Sequence, residues 1–328
     1  MLSRVADSLF WLGRYVERAE NYARFIEVNF NLSIDLPPGV QEQWKPLITI
    51  TGDSAIFESL YNAKYEKQDV IRFLTFDKTY ENSILRSIEK ARENARTIRE
   101  SISREAWEHL NNLYYYVQNA SRRKIWEKEH PRDFFATVKS RIFTLYGLAN
   151  HTELRTEGWH FNNLGLLMER ADKTSRILDV KYHILLPSIT AVGTPIDYLH
   201  WAALLRSIDA FNAFKRVYGK ISPSSVLEFS LLNPYFSRST LYCVSAANDC
   251  LREISGNFSQ KEFHNPAEKK IGALKSELEF KDVQTIIDYG VHEYVDDVQL
   301  KLNDISNAIH DQYFEIVSKF TPQKMAQE

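Results

Sequence analysis

The chain of 328 residues is poor in cysteine, glycine and proline, and each shortage narrows the structures that it can form. Its two cysteines, Cys243 and Cys250, stand two helical turns apart, which is too far for a disulfide bond within a regular helix. Because no cluster of further cysteine and histidine residues lies beside them, two reduced, packed thiols are predicted. The 11 glycines and 10 prolines leave long stretches uninterrupted, which favours helices.

An excess of charge of one sign is missing as well, since 41 Lys and Arg residues face 43 Asp and Glu residues. A formal net charge of -2 argues against a global basic field that would recruit nucleic acid or an anionic membrane. No run approaches the roughly 20 apolar residues of a membrane span. Arg4 and Asp7 interrupt the first twelve residues, which therefore do not resemble a signal peptide. A cytoplasmic protein without nucleic-acid or membrane partners is predicted.

Apolar residues recur three or four positions apart along much of the chain, which is the pattern of amphipathic helices. The pattern is clearest near the start, where it runs through Val5, Leu9, Leu12, Val16 and Phe30. Stretches that could form strands are too short and isolated to build a sheet. In the first half, helices are predicted at residues 3–31, 45–50, 54–65, 81–101, 104–119 and 134–150.

A charged motif near the start of the chain returns 152 positions later. Residues 12–24 read LGRYVERAENYAR, and residues 164–176 read LGLLMERADKTSR. Such self-similarity is the mark of an internal duplication. Later residues keep the same order, with Trp44 matching Trp201 and Ser83 matching Ser239 at offsets of 157 and 156.

The duplication predicts an all-α fold, a tandem-duplicated helical bundle whose two pseudo-twofold-related repeats share one core. Repeat 1 would cover about residues 1–154 and repeat 2 about residues 155–320, followed by a frayed tail at 321–328. Since no linker rich in proline, glycine or serine separates the repeats, a single domain over residues 1–328 is predicted.

The motif places its charges on one side of each helix. With 100° per residue, the first helix carries a polar wedge opposite its apolar face, and Arg18 lies at the edge of the wedge beside Trp11 and Phe25. Arg170 takes the corresponding place in the second helix. Leu166 replaces Arg14, so the two motifs differ in charge. The candidate network or ligand-binding residues are Arg14, Glu17, Arg18, Glu20, Asn21, Arg24, Glu169, Arg170, Asp172 and Arg176.

Three interpretations of these residues compete with ordinary solvated ion pairs. In the first, which we favour because the motif is retained in both halves, Arg18 and Arg170 each bind carboxylates of the other helix through paired hydrogen bonds of the guanidinium. In the second, the charges bind an amino acid, another zwitterion or a peptide terminus. The third is a di-metal centre. It is disfavoured because Glu20 and Asp172 stand where such bundles carry histidine. No metal, cofactor or catalytic residue is predicted.

Several stretches resemble the bacterial alpha-E family, a helical domain named for its Glu-Arg motif. They are MLSRVA at residues 1–6, YVERAEN at 15–21, ARENAR at 91–96, EAWEHLN at 105–111 and ERADKTSR at 169–176. The resemblance covers essentially the whole chain. Leu166 departs from it, because an arginine is expected there.

Members of that family are typically encoded beside, or fused to, a circularly permuted ATP-grasp ligase and a transglutaminase-like protease. The resemblance therefore implies an accessory protein of a peptide synthesis or modification system, which binds a partner enzyme or its peptide substrate. Two alternatives stay open. The chain could be a cryptic enzyme that uses the paired Glu-Arg motifs in peptide ligation or hydrolysis, or a purely structural scaffold.

Overall fold

The computed structural model describes residues 1–35, 43–127, 131–184, 194–259 and 262–315, without the side chains of residues 180–184. All secondary structure in these ranges is helical, which confirms the predicted all-α class. The predicted tail at 321–328 lies outside the described residues. Within the described ranges, no helix has both the length and the apolar character needed to cross a lipid bilayer.

The described residues form fifteen α-helices and two short 3₁₀ helices, at Arg99–Ser101 and Ile125–Glu127. The α-helices are α1 (Ser3–Asp35), α2 (Lys45–Thr51), α3 (Ser54–Tyr61), α4 (Lys67–Phe76), α5 (Ile84–Thr97), α6 (Arg104–Arg122), α7 (Arg132–Thr152), α8 (Glu157–Ile184), α9 (Pro195–Ser207), α10 (Phe211–Val217), α11 (Pro223–Leu232), α12 (Thr240–Ser255), α13 (Pro266–Glu279), α14 (Val283–Tyr289) and α15 (Val291–Tyr313).

The predicted helices of the first half are all present, with errors at their ends. The helix predicted at 81–101 begins only at Ile84, because the Ser83 side chain caps it by accepting a hydrogen bond from the Arg86 backbone. The helix predicted at 54–65 ends at Tyr61, because Asn62 and the residue after it adopt left-handed backbone angles.

The two motif helices, α1 and α8, pack against each other at the centre of the molecule. Helices α5, α7 and α9 surround α1, and α12 and α15 flank α8. One continuous buried apolar core extends from Ala6 to Phe314. Residues on the inner faces of α1 and α8 are consequently buried whether they are apolar or charged.

Two glycines of the motifs allow this close approach. A Cβ atom on Gly13 would collide with the Asn162 carbonyl oxygen and lie 2.9 Å from the Leu166 backbone nitrogen. A Cβ atom on Gly165 would collide with the Phe10 carbonyl oxygen and lie 2.8 Å from its carbonyl carbon. Each glycine therefore meets the backbone of the other helix, which cannot move aside as a flexible side chain could.

We predict that Gly13→Ala and Gly165→Ala each lower the free energy of unfolding by about 1–3 kcal/mol, because overpacking outweighs the gain in helix propensity. Gly147→Ala is the matched control. It lies within α7 with no atom within 4 Å of the added Cβ, so it should stabilise by about 0.5–1 kcal/mol. Urea unfolding of the three variants measures this. Equal effects at all three sites would contradict the close packing of α1 on α8.

Candidate functional site

Two reciprocal ion pairs join the motif helices. Arg18 donates from Nε and Nη2 to the two carboxylate oxygens of Glu169, at 2.7 and 2.9 Å. Arg170 donates in the same way to Glu17, at 2.9 Å for each bond. Both glutamates are 0% exposed. The predicted forks of Arg18 and Arg170 onto carboxylates of the opposite helix are confirmed.

Glu169 receives two further cations. Arg14 Nε lies 3.0 Å from its carboxylate, and Lys173 Nζ lies 3.5 Å from it. The Arg14 guanidinium also covers the ring of Trp11, with 5.3 Å from Cζ to the ring centroid. Burial alone would raise the pKa of Glu169, but the charges of Arg18, Lys173 and Arg14 hold it well below its usual range. Glu169 is therefore a charged carboxylate at neutral pH.

Glu17 is neutralised by different partners. Arg238 Nη1 donates to it at 2.9 Å, the Tyr146 hydroxyl at 2.6 Å and the Asn21 amide at 3.1 Å. Burial alone would raise the pKa of Glu17, but Arg170 and Arg238 hold it far below its usual range. Burial and the negative charges of Glu17 and Glu20 raise the pKa of Tyr146, so its hydroxyl keeps its proton and remains a donor.

The remaining wedge residues extend each pair towards the surface. Arg24 binds Glu20 at 2.9 Å and Asp209 at 2.6 Å, and Arg238 Nη2 donates to Glu20 at 3.0 Å. Asp209 is 42% exposed at its side chain, so this branch ends at solvent.

In the other motif, Asp172 binds Arg176 at 3.0 Å and Lys173 at 2.9 Å.

All ten candidate residues therefore belong to one of two clusters, each named after its central glutamate. The Glu17 cluster contains Glu17, Glu20, Asn21, Arg24 and Arg170, with Tyr146, Asp209 and Arg238. The Glu169 cluster contains Arg14, Arg18, Glu169, Asp172 and Arg176, with Lys173.

A comparison with known families finds a match over most of the chain. The Alpha-E family model, described as a predicted alpha-helical domain with a conserved ER motif, matches residues 1–314. The chain belongs to the Alpha-E family. Its two Glu-Arg pairs, Glu17-Arg18 and Glu169-Arg170, are the central residues of the two clusters.

Curated relatives of this Alpha-E chain are found among mycobacteria. An uncharacterised protein of Mycobacterium bovis is 24% identical over 279 residues, and one of Mycobacterium tuberculosis strain H37Rv is 23% identical over the same length. Each match covers 77% of this chain but only 30% of the relative. The chain therefore spans less than a third of the length of these relatives. No solved structure matches it.

Sequence reasoning missed Arg238 and Tyr146, although both bind Glu17 of the Alpha-E motif. Arg238 could have been recognised from the sequence, because it directly precedes Ser239, the residue that matches the helix cap Ser83. Asn82 stands in the corresponding place before Ser83 and accepts a hydrogen bond from Arg18. Tyr146 has no comparable signal, since it reaches Glu17 from α7 only through tertiary packing.

Arg18 has the aromatic company predicted for it, but the ring that it covers is a different one. The helical projection placed it beside Trp11 and Phe25, whereas its guanidinium lies over the ring of Tyr15, 5.7 Å from the centroid. Side chains in a helix lean towards its N-terminus, so residues i and i+3 meet more closely than a flat projection indicates.

The geometry limits the chemistry that the Alpha-E motif can perform. A carboxylate that is charged, buried and enclosed by several donors is a poor proton acceptor and offers no free oxygen to a metal ion. Among the described residues, no group of three or more His, Cys, Asp or Glu side chains is arranged to hold a metal ion. The arrangement is instead suited to fixing the register of α1 against α8.

We expect the glutamates to be harder to replace than the arginines. Glu17→Gln leaves Arg170 and Arg238 without their shared counter-charge and should lower the free energy of unfolding by about 3–5 kcal/mol. Arg170→Met leaves Glu17 bound by Arg238, Tyr146 and Asn21, so a smaller loss of about 1–3 kcal/mol is expected. Denaturant unfolding measures both.

Glu108→Gln, which breaks an exposed pair with Arg104, is the control and should cause no measurable change. If Arg170→Met cost more than Glu17→Gln, the carboxylate would not be the centre of its cluster.

The stabilising effect of Glu169 should disappear in acid. Its folded pKa lies well below the ordinary value of 4.5, so its contribution is complete above pH 4.5 and is lost as the pH falls towards the folded pKa. We expect the stability difference between the natural chain and Glu169→Gln to be constant from pH 7 to about 5.5 and to shrink below pH 4.5. Thermal unfolding across this range measures it. A difference that stayed constant down to pH 3.5 would refute the low pKa.

Proposed function

We propose that this chain is a non-catalytic accessory protein of a peptide synthesis or modification system, in which it binds a partner enzyme or its peptide substrate. An ATP-grasp ligase and a transglutaminase-like protein are the proposed partners, as the family resemblance implies. The observation that carries the proposal is the closure of both Glu-Arg motifs on each other, with Glu17 and Glu169 fully buried. A motif that is enclosed in this way holds the molecule together and leaves binding to other surfaces.

The same observation weakens the enzymatic alternative. Acid and base catalysis by paired carboxylates needs at least one carboxyl group with a raised pKa in a cleft. The pKa values of Glu17 and Glu169 are shifted in the opposite direction, and neither group reaches solvent.

The length of the curated relatives supports association with other protein modules. In the mycobacterial proteins the matched region makes up only 30% of the chain, so the Alpha-E region is joined there to long further segments. We infer that the Alpha-E region of this chain also works together with other protein modules.

We further propose that the molecule is one domain of two duplicated repeats about a pseudo-twofold axis. Matched positions with the same backbone role support this. Ser83 and Ser239 both cap the helix that follows them, and Gly52 and Asp209 both adopt left-handed backbone angles just after a helix. The reciprocal Arg18 and Arg170 forks also fit such an axis.

The proposal predicts that the purified chain binds the ATP-grasp ligase encoded in the same genome and accelerates its peptide-forming reaction, without turning over peptides alone. Affinity co-purification and ligase rates with and without the chain measure this. Glu169→Gln, assayed below its unfolding temperature, should leave the stimulated rate unchanged.

A chain that bound neither the ligase nor any peptide would overturn the proposal and favour a purely structural scaffold. Turnover by the chain alone that Glu17→Gln abolished would favour the cryptic enzyme.

A further inference from the structure

The two motif helices differ on the face that flanks their Glu-Arg pairs. In α1 this face carries Phe10, Trp11 and Arg14, and the Arg14 guanidinium covers both rings while it binds Glu169. The side chains thus fill the space beside the Glu169 cluster. In the second motif the corresponding residues, 152 positions later, are Asn162, Asn163 and Leu166. None of these can fill the same space with a stacked cation.

A cleft lies beside the Glu17 cluster where the second motif lacks those groups. It has a volume of about 220 Å³ and opens between α7 and α8. Arg170, Asn162, Asn163 and Leu166 line it from α8, and Asn150 lines it from α7. The indole of Trp159 forms a further wall. The cleft therefore combines one guanidinium with three carboxamides and two aromatic rings, those of Trp159 and Tyr146.

A small apolar chamber adjoins this cleft. The two share Tyr146, Ala149, Asn162 and Leu166 in their walls. The chamber has a volume of about 40 Å³ and is otherwise lined mainly by aliphatic side chains of α1, α6 and α7, with Glu153 as the one acidic residue in its wall. This volume is small beside the roughly 150 Å³ of a cavity that holds a benzene ring, so the chamber suits a small apolar side chain such as that of valine. A phenylalanine ring would overfill it.

The cleft retains unused hydrogen-bonding capacity. Three hydrogen bonds engage Arg170, two to Glu17 and one of 3.4 Å to the Ser237 carbonyl oxygen, whereas a guanidinium has five N–H groups. The Asn162 side chain makes no hydrogen bond to any described residue. Asn150 donates to the Tyr146 carbonyl oxygen at 3.0 Å, and its own side-chain oxygen accepts nothing from the described residues.

The charge balance indicates which ligand groups suit these side chains. Glu17, Glu20 and Asp209 carry three negative charges, and Arg24, Arg170 and Arg238 carry three positive charges. Because the Glu17 cluster is balanced, a charged ligand group gains little there. A carboxamide both donates and accepts, as a peptide group does, so neutral peptide groups match the asparagines on both counts.

We infer that this cleft binds an internal, uncharged segment of an extended peptide. Its backbone amides would bind the asparagines and Arg170, and a small apolar side chain such as valine would enter the chamber. This rests on the proposed function, since it supplies the site by which the accessory protein would bind its peptide substrate. A free peptide terminus is not needed.

The probe is the blocked peptide N-acetyl-Gly-Val-Gly-amide, titrated into isotope-labelled full-length protein. We expect saturable NMR shifts of the Trp159 indole N–H and the Asn162 and Asn163 side-chain amides. Blocked peptides with Gly or Phe in place of Val should bind roughly tenfold more weakly or worse, because one misfit group in an apolar pocket changes affinity by that factor.

Leu166→Arg should abolish binding of the probe, because it supplies the guanidinium that fills the matching space in the first motif. Leu300→Arg, the same change at a residue of α15 that is 59% exposed, is the control and should leave the affinity unchanged. Unaltered binding by Leu166→Arg, or binding only of peptides with a free terminus, would overturn the inference.

Co-purification with the ligase separates this inference from the proposed function. If the ligase binds but no blocked peptide does, the peptide site is refuted and the accessory role stands. If neither binds, both are refuted.

Discussion

Glu17 and Glu169 lose all contact with water when α1 packs on α8, and the rest of the charged architecture follows from that loss. A buried carboxylate without partners is strongly destabilising, so each needs cations at hydrogen-bonding distance. The nearest cations on the facing helix are Arg170 and Arg18, whose planar forks match both carboxylate oxygens. They can reach only because Gly13 and Gly165 bring the two backbones together. Charge and packing therefore depend on each other in this motif.

The two glutamates solve the same electrostatic problem with different partners. Glu169 draws on Arg14 and Lys173 from the motif helices themselves. Leu166 stands in the place that corresponds to Arg14, so the second motif offers Glu17 no such arginine. Glu17 is instead bound by Arg238 and by the Tyr146 hydroxyl, which both lie outside the motifs. This difference decides where space remains, because a stacked arginine fills one flank and a leucine leaves the other open. The result is a cleft beside one of the two motifs.

The sequence was sufficient for those features that depend on repetition. Periodicity predicted the helices, and comparing residues 12–24 with residues 164–176 selected ten polar residues that all belong to the two clusters. The hydrogen bonds of Arg18 and Arg170 to the opposite helix could be predicted because both motifs retain a glutamate beside the arginine. The glutamate of the other motif is therefore the expected partner of each arginine. Gly13 and Gly165 were within the repeated stretch, but their role depends on an interhelical distance that no spacing reports.

Features that occur once in the chain escaped prediction for a physical reason. Tyr146 and Arg238 bind Glu17 from distant segments, and one sequence contains no periodic signal for a contact across more than a hundred residues. The cleft is harder still, since it consists of space that side chains fail to fill. Leu166 could be recognised in the sequence as a departure from the pattern. That the departure leaves a cleft, rather than a tighter core, depends also on Asn162 and Asn163, which line the cleft in the places that correspond to Phe10 and Trp11. A functional surface of this kind is therefore best sought where a repeated motif breaks its own pattern, next to a network that is too tightly bound to take part in chemistry.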